Sequence, residues 1–249
     1  MSKMKKKCYN KATIMNLILY FILIPALLPV FLILLYIYRL DKNEREPLRF
    51  VLKVVLFGAI FSIPCAAVEN AFTVMLSFFY EPETIQYAFL ENTVCVALVE
   101  EFSKWLVLMI FVWKNQNFDY RYDGIVYAVS ASLGFAALEN ILYVISYGTG
   151  VSIGRAIFAI PGHATFGVFM GFFISRAKSF WINGKFGQMK LFKLLALVIP
   201  MFIHGFYDFL LSDQVDEIGL QFVFFIFVIV LDIFAWRVIK HEFKTDRHL

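Results

Sequence analysis

Stretches of roughly twenty apolar residues recur along the whole of this 249-residue chain, each long enough to cross the hydrocarbon core of a bilayer as a helix. Inside hydrocarbon a backbone N–H or carbonyl finds no water, so the backbone must satisfy itself within helical segments. With 61% hydrophobic residues and 30 phenylalanines, the composition lies far outside that of a soluble domain. No segment between the apolar runs is large enough to be a soluble domain. The expected fold class is all-α: a polytopic integral membrane helical bundle of about seven transmembrane spans, with residues 1–249 forming a single transmembrane domain.

The runs cover roughly residues 14–38, 50–80, 89–113, 124–147, 155–177, 191–212 and 219–239. The second is long enough to tilt or to break near Pro64. Arg39, Lys42, Arg45 and Arg49 fall in one loop, Lys114 and Arg121 in another, Arg176 to Lys193 in a third, and Arg237 to Arg247 in the C-terminal tail. The alternate loops are nearly free of positive charge, so the basic loops and the C-terminus are expected in the cytoplasm. Seven spans would then put the tail with Lys3, Lys5, Lys6, Lys7 and Lys11 outside. Either the other loops override that tail, or Pro25 and Pro29 make the first run re-entrant. The first run is too long for a signal peptide and has no cleavage site after it, which favours an uncleaved span. The basic residues read as topology signals and lipid contacts, not as a nucleic-acid surface. Cys8, Cys65 and Cys95 are scattered and match no metal motif.

Against this background the charged residues inside the runs stand out. A charge at the centre of a bilayer helix costs roughly 2.5–3.5 kcal/mol, and the third run carries Glu100, Glu101 and Lys104 together. Glu139 and Asn140 lie in the fourth run, His163 in the fifth, His204 and Asp208 in the sixth, and Glu69 and Asn70 in the second. Counted from the outer end of each run at about 1.5 Å per residue, Glu100, Glu139, His163, His204 and Asp208 fall roughly 6–17 Å below the outer surface. They are therefore expected to converge on one pocket in the outer half of the bilayer. Glu100 and Lys104 are spaced to pair along one helix face, while Glu101 points about 100° away. His204 and Asp208 also share a face, and Pro200 is expected to kink the helix one turn before them.

Such a set suits water activation. A carboxylate in a low-dielectric pocket can serve as a general base, and histidines can donate protons, hold an oxyanion or bind a metal. Glu100, with or without Glu101, is the candidate base. His163 and His204 are candidate proton donors or, with Glu139, ligands of a divalent ion such as zinc, although no helix carries a His-Glu-x-x-His arrangement. Asp208 would orient His204, and Lys104 would act as a structural partner. The competing readings are structural ion pairs and inter-helix hydrogen bonds. At the level of function they are a proton-coupled transporter, whose acids would be spread over different depths, and a non-enzymatic chaperone or immunity factor on a protease-like fold.

Glu100-Glu101-Phe102-Ser103-Lys104, then Phe135-Ala136-Ala137-Leu138-Glu139, then His204-Gly205-Phe206-Tyr207-Asp208 resemble in order the three motifs of the PrsW family of intramembrane proteases. Asp123-Gly124, Glu139-Asn140 and Pro161-Gly162-His163 also resemble that family, over roughly residues 95–210. The family is distantly similar to the CAAX prenyl endopeptidases, whose second motif ends in histidine; here it ends in Glu139. The resemblance implies a metallo- or glutamate protease of the bacterial plasma membrane, with its catalytic core about 89–212. Its implied partner is a single-span membrane protein, a membrane-anchored anti-sigma factor. Cutting that partner on its extracytoplasmic side would be the first cut of a stress response.

Overall fold

The computed structural model describes residues 11–41 and 44–249. Helix α1 spans Lys11–Leu40, α2 Leu48–Ser62, α3 Cys65–Leu76, α4 Ile85–Leu90, α5 Leu98–Val107 and α6 Asp123–Tyr147. They are followed by α7 (Ser152–Ile157), α8 (Ala159–Ile182), α9 (Phe186–Phe209), α10 (Asp213–Glu217) and α11 (Phe222–Lys244). Among the described residues there is no strand, only an isolated bridge between Tyr120 and His248.

Among the described residues, five segments are long and apolar enough to cross a membrane: Leu48–Leu76, Asp123–Tyr147, Ser152–Ile182, Phe186–Phe209 and Phe222–Lys244. That is fewer than the seven expected. The first run forms α1, unbroken through Pro25 and Pro29, of which Leu27–Leu40 is a shorter apolar helix. The third run is divided by two π-helical turns, Glu91–Ala97 and Leu108–Val112, on either side of α5. The lysines at 3, 5, 6 and 7 lie outside the described residues. Of the two expectations for the second run, tilt or a break near Pro64, the helix breaks there: α2 ends at Ser62, α3 begins at Cys65, and Pro64 has no N–H to give to the ladder. Pro200 lies inside α9, which continues through it.

Burial separates centre from rim. In the apolar windows 72% of α6 and 61% of α7–α8 are buried, against 17% of α11. Ile226, Ile229, Ile233 and Phe234 of α11 are exposed, as suits a surface facing lipid tails. Helix α6 sits between α2 and α8, and it reaches both through small residues, which let backbones approach closely. A Cβ built at Gly134 would collide with the Val55 carbonyl of α2, and one at Gly58 with the Ala131 carbonyl of α6.

On the basic side, Arg176 of α8 makes two bonds to the fully buried carboxylate of Glu242 in α11, at 2.7 and 2.8 Å. Lys178 Nζ donates to the Trp113 carbonyl at 2.8 Å. The C-terminal residues return to the start of α6, where the Leu249 N–H donates to the Asp119 carbonyl at 2.6 Å.

The contact of α2 with α6 leaves no room for a side chain. Gly134→Val should lower stability by about 1–3 kcal/mol or more through overpacking, read as a lower melting temperature in detergent. Ile229→Ala, on the lipid-facing side of α11, should change it little.

Candidate functional site

The α5 segment is framed by backbone irregularity. The Leu98 N–H bonds the Thr93 carbonyl, and the Trp113 N–H bonds the Leu108 carbonyl at 2.8 Å, each five residues back. Such a π turn inserts one residue into an α-helix and rotates the side chains beyond it. The first lies tightly against α9: a Cβ at Gly205 would stand 2.6 Å from Thr93 Cα. Gly205, directly after His204, thereby allows α9 to lie against α5 at the height of the charged residues.

Lys104 is fully buried, and an ammonium can only donate. Its Nζ meets Glu101 Oε1 at 2.7 Å, His163 Nδ1 at 2.9 Å and Glu100 Oε2 at 3.2 Å, one acceptor for each of its three N–H bonds. His163 Nδ1 must therefore accept. Its Nε2 then carries the proton and donates to Glu139 Oε2 at 3.0 Å, which makes the ring neutral. His204 differs, because both of its nitrogens face carboxylates: Nδ1 meets Glu101 Oε1 at 2.9 Å and Nε2 meets Asp208 Oδ2 at 3.1 Å. Both must donate, so in this arrangement the ring is an imidazolium. Phe166 stacks on His204 with centroids 4.6 Å apart, and Lys104 lies over the Phe135 ring at 4.5 Å.

Glu100, Glu101, His163 and His204 are all buried, and each brings a ligand atom within 4.8 Å of the others. Glu139 and Asp208 lie just outside this group, each on the outward ring nitrogen of one histidine. Of the trio Glu139, His163 and His204 expected to hold a metal, the two histidines belong to the close group. Glu139 instead meets His163 and Arg155 NH2, the latter at 2.7 Å. The pairing within the Glu-Glu-Phe-Ser-Lys segment also differs from the sequence expectation. Lys104 bonds both glutamates, and Glu101 faces Lys104 and His204 together.

What separates the two glutamates is access. A cavity of about 900 Å³ is lined by Glu69, Glu100, Glu139, His163, His204 and Asp208, with Arg155 at its edge, whereas Glu101 and Lys104 lie behind its wall. Asn70, beside Glu69, is exposed and does not line it. Arg155 is the site cation that sequence reasoning left out. It bonds Glu139 and Asn140 and stacks 3.8 Å above the Tyr143 ring. Its signal was its isolation as the only Lys or Arg in the otherwise uncharged stretch 148–155.

The donor set fits a divalent metal. Two imidazoles and two carboxylates suit zinc-type coordination, and Glu101 Oε2 is buried without accepting any hydrogen bond. Lys104 Nζ touches three of the four donors, so the ammonium and an ion compete for the same lone pairs.

Comparison with known proteins agrees with this geometry. The profile of the PrsW family of intramembrane metalloproteases matches residues 46–234. The chain is 37% identical to Protease PrsW of Oceanobacillus iheyensis over 191 residues, which cover 77% of this chain and 83% of that one. It is 40% identical to Protease PrsW of Geobacillus kaustophilus over 179 residues, 72% and 74% of the two chains. To Protease PrsW of Bacillus subtilis it is 33% identical over 208 residues, 83% and 90%. No solved structure matches it. A buried acid–histidine cluster within a multi-pass helical bundle, together with these relatives, places this peptidase in the PrsW family of intramembrane metalloproteases.

Proposed function

We propose that the chain hydrolyses a peptide bond in a single-span protein of the bacterial plasma membrane, a membrane-anchored anti-sigma factor, on its extracytoplasmic side as the first of successive cuts. The observation that carries this reading is Glu100. It lines the cavity, it meets Lys104 at 3.2 Å and lies 4.0 Å from His204 Nε2, and the other polar groups of the cavity surround it. The opposite end of α6, where the basic loops and the tail gather, supports an outer location for the site.

Glu100 takes the proton of a water molecule as that water attacks the scissile carbonyl. His204, an imidazolium with Nδ1 on Glu101 and Nε2 on Asp208, is the proton source for the leaving amine and gives up one of those contacts as it donates. Glu139 fixes the ring of His163 through Nε2, and Arg155 fixes Glu139 in turn. The residues that would hold a divalent ion such as zinc are Glu101, His163 and His204, and when bound it would supply Lewis-acid polarisation of the carbonyl. Glu100 would then remain free as the base. Lys104 fixes the charge balance behind the wall and meets no substrate.

Two measurements test this. Glu100→Gln should cut hydrolysis of a single-span reporter in membranes by on the order of a hundredfold or more while leaving the melting temperature nearly unchanged. Full activity in both Glu100→Gln and Glu101→Gln would sink the assignment. Extraction with a strong chelator should abolish cleavage and added zinc should restore it, with close to one ion bound per chain. A purified enzyme that is fully active without metal would exclude the ion and leave the carboxylate–imidazolium chemistry.

A further inference from the structure

A second cluster of acids sits at the other end of α6, outside the proposed catalytic machinery. Asp41 and Glu46 lie in the loop between α1 and α2, and Asp123 is the first residue of α6. At about 1.5 Å per residue, Asp123 is roughly 24 Å along the helix from Glu139. Asp41, Glu46 and Asp123 are 2%, 3% and 0% exposed, and one carboxylate oxygen from each lies within 4.8 Å of the other two.

The hydrogen-bond account of this cluster does not close. Asp123 Oδ2 accepts the N–H of Tyr120 at 2.6 Å and that of Asp119 at 3.0 Å. Asp41 Oδ2 accepts the Glu46 N–H at 3.3 Å, and Glu46 Oε2 accepts the Tyr127 hydroxyl. Asp41 Oδ1 and Asp123 Oδ1 are buried and accept nothing. The Glu46 and Asp123 carboxyls are in hydrogen-bonding contact, and with both ionised that contact would set acceptor against acceptor. Among the described residues no lysine or arginine pairs with any of the three: the bridges formed by Lys104, Arg155 and Arg176 all go elsewhere. Arg45, in the same loop, is exposed.

Among the described residues the three carboxylates converge with no salt bridge to a side-chain cation, Arg45 acting on Asp41 only electrostatically, and such a set calls for an ion. All of the donors are hard oxygens, with no imidazole or thiolate among them, which selects against the zinc class and for magnesium, calcium or manganese. We propose that Asp41, Glu46 and Asp123 form a cytoplasmic-side site for one such hard divalent cation, tying the α1–α2 loop to the start of α6. The C-terminal residues lie over the same place, where Asp246 Oδ1 accepts the Tyr122 N–H at 3.0 Å.

Tyr127, whose hydroxyl touches Glu46, offers an optical test. Terbium added to the detergent-solubilised full chain should give saturable emission on tyrosine excitation, displaced by calcium. The signal should persist in Glu100→Gln and fall at least tenfold in Asp41→Asn and in Glu46→Gln. Its persistence in both loop variants overturns the proposal, and so does its loss in Glu100→Gln, which would place the ion in the membrane site. Should the loop variants not fold, the wild-type protein decides. Its melting temperature should rise with millimolar calcium, magnesium or manganese, and indifference to all three overturns the site.

Discussion

An ammonium group sealed from water must find an acceptor for each of its N–H bonds inside the protein, and Lys104 finds them on two helical segments. Glu100 and Glu101 come from its own helix and His163 from α8; through Glu101 and His163 the contact extends to His204 of α9 and Glu139 of α6. Removing one partner of such a buried set commonly costs about 3–5 kcal/mol, because a charge is left without compensation. The four helices are therefore held at one height by a polar knot, and lipid-facing apolar surface alone would not fix that register. The hydrophobic contacts around it are permissive by comparison, since lipid tails solvate leucine and phenylalanine as well as a neighbouring helix does.

The scaffold serves this knot by close approach. Helix α6 meets α2 through Gly58 and Gly134, and α9 meets the first π turn through Gly205. Each contact places backbone against backbone, where little can shift. The cavity in front of the knot is bounded by longer side chains, among them Tyr143, Phe158 and Phe166. Rigid backbone behind and adjustable side chains in front suit a site that must hold a few polar atoms fixed while admitting a bulky polypeptide.

Much of this was legible in the residues. Apolar runs of bilayer length dictated helices, Pro64 dictated the break in the second run, and counting residues inward put Glu100, Glu139, His163, His204 and Asp208 at a common depth. What the sequence hid has physical reasons. A π turn adds one residue per turn without any change in composition, so the third run read as a single straight span. Lys104 reaches both glutamates because a long flexible stem spans the angular gap that helical spacing assigns to Glu101. Asp41 and Glu46 carried no motif and Asp123 entered only beside Gly124 in the family resemblance, so only the fold shows the three acids buried together. Arg155 became part of the site only when the start of the α7–α8 segment was seen beside the end of α6.

The π turn at Glu91–Ala97 carries a further implication for how such a chain can vary. Neighbouring residues on a helix point about 100° apart, and Glu100 and Glu101 are neighbours with opposite exposures, one lining the cavity and one behind its wall. A codon lost inside the turn would relax it to ordinary helix and leave the pair facing as it does, whereas one lost from the ordinary helix between Ala97 and Glu100 would rotate the pair by one position and exchange the two carboxylates. Length is thus constrained after the turn and not within it: the turn can give up its extra residue, but the few helical residues between it and Glu100 cannot change in number without changing which carboxylate meets the cavity.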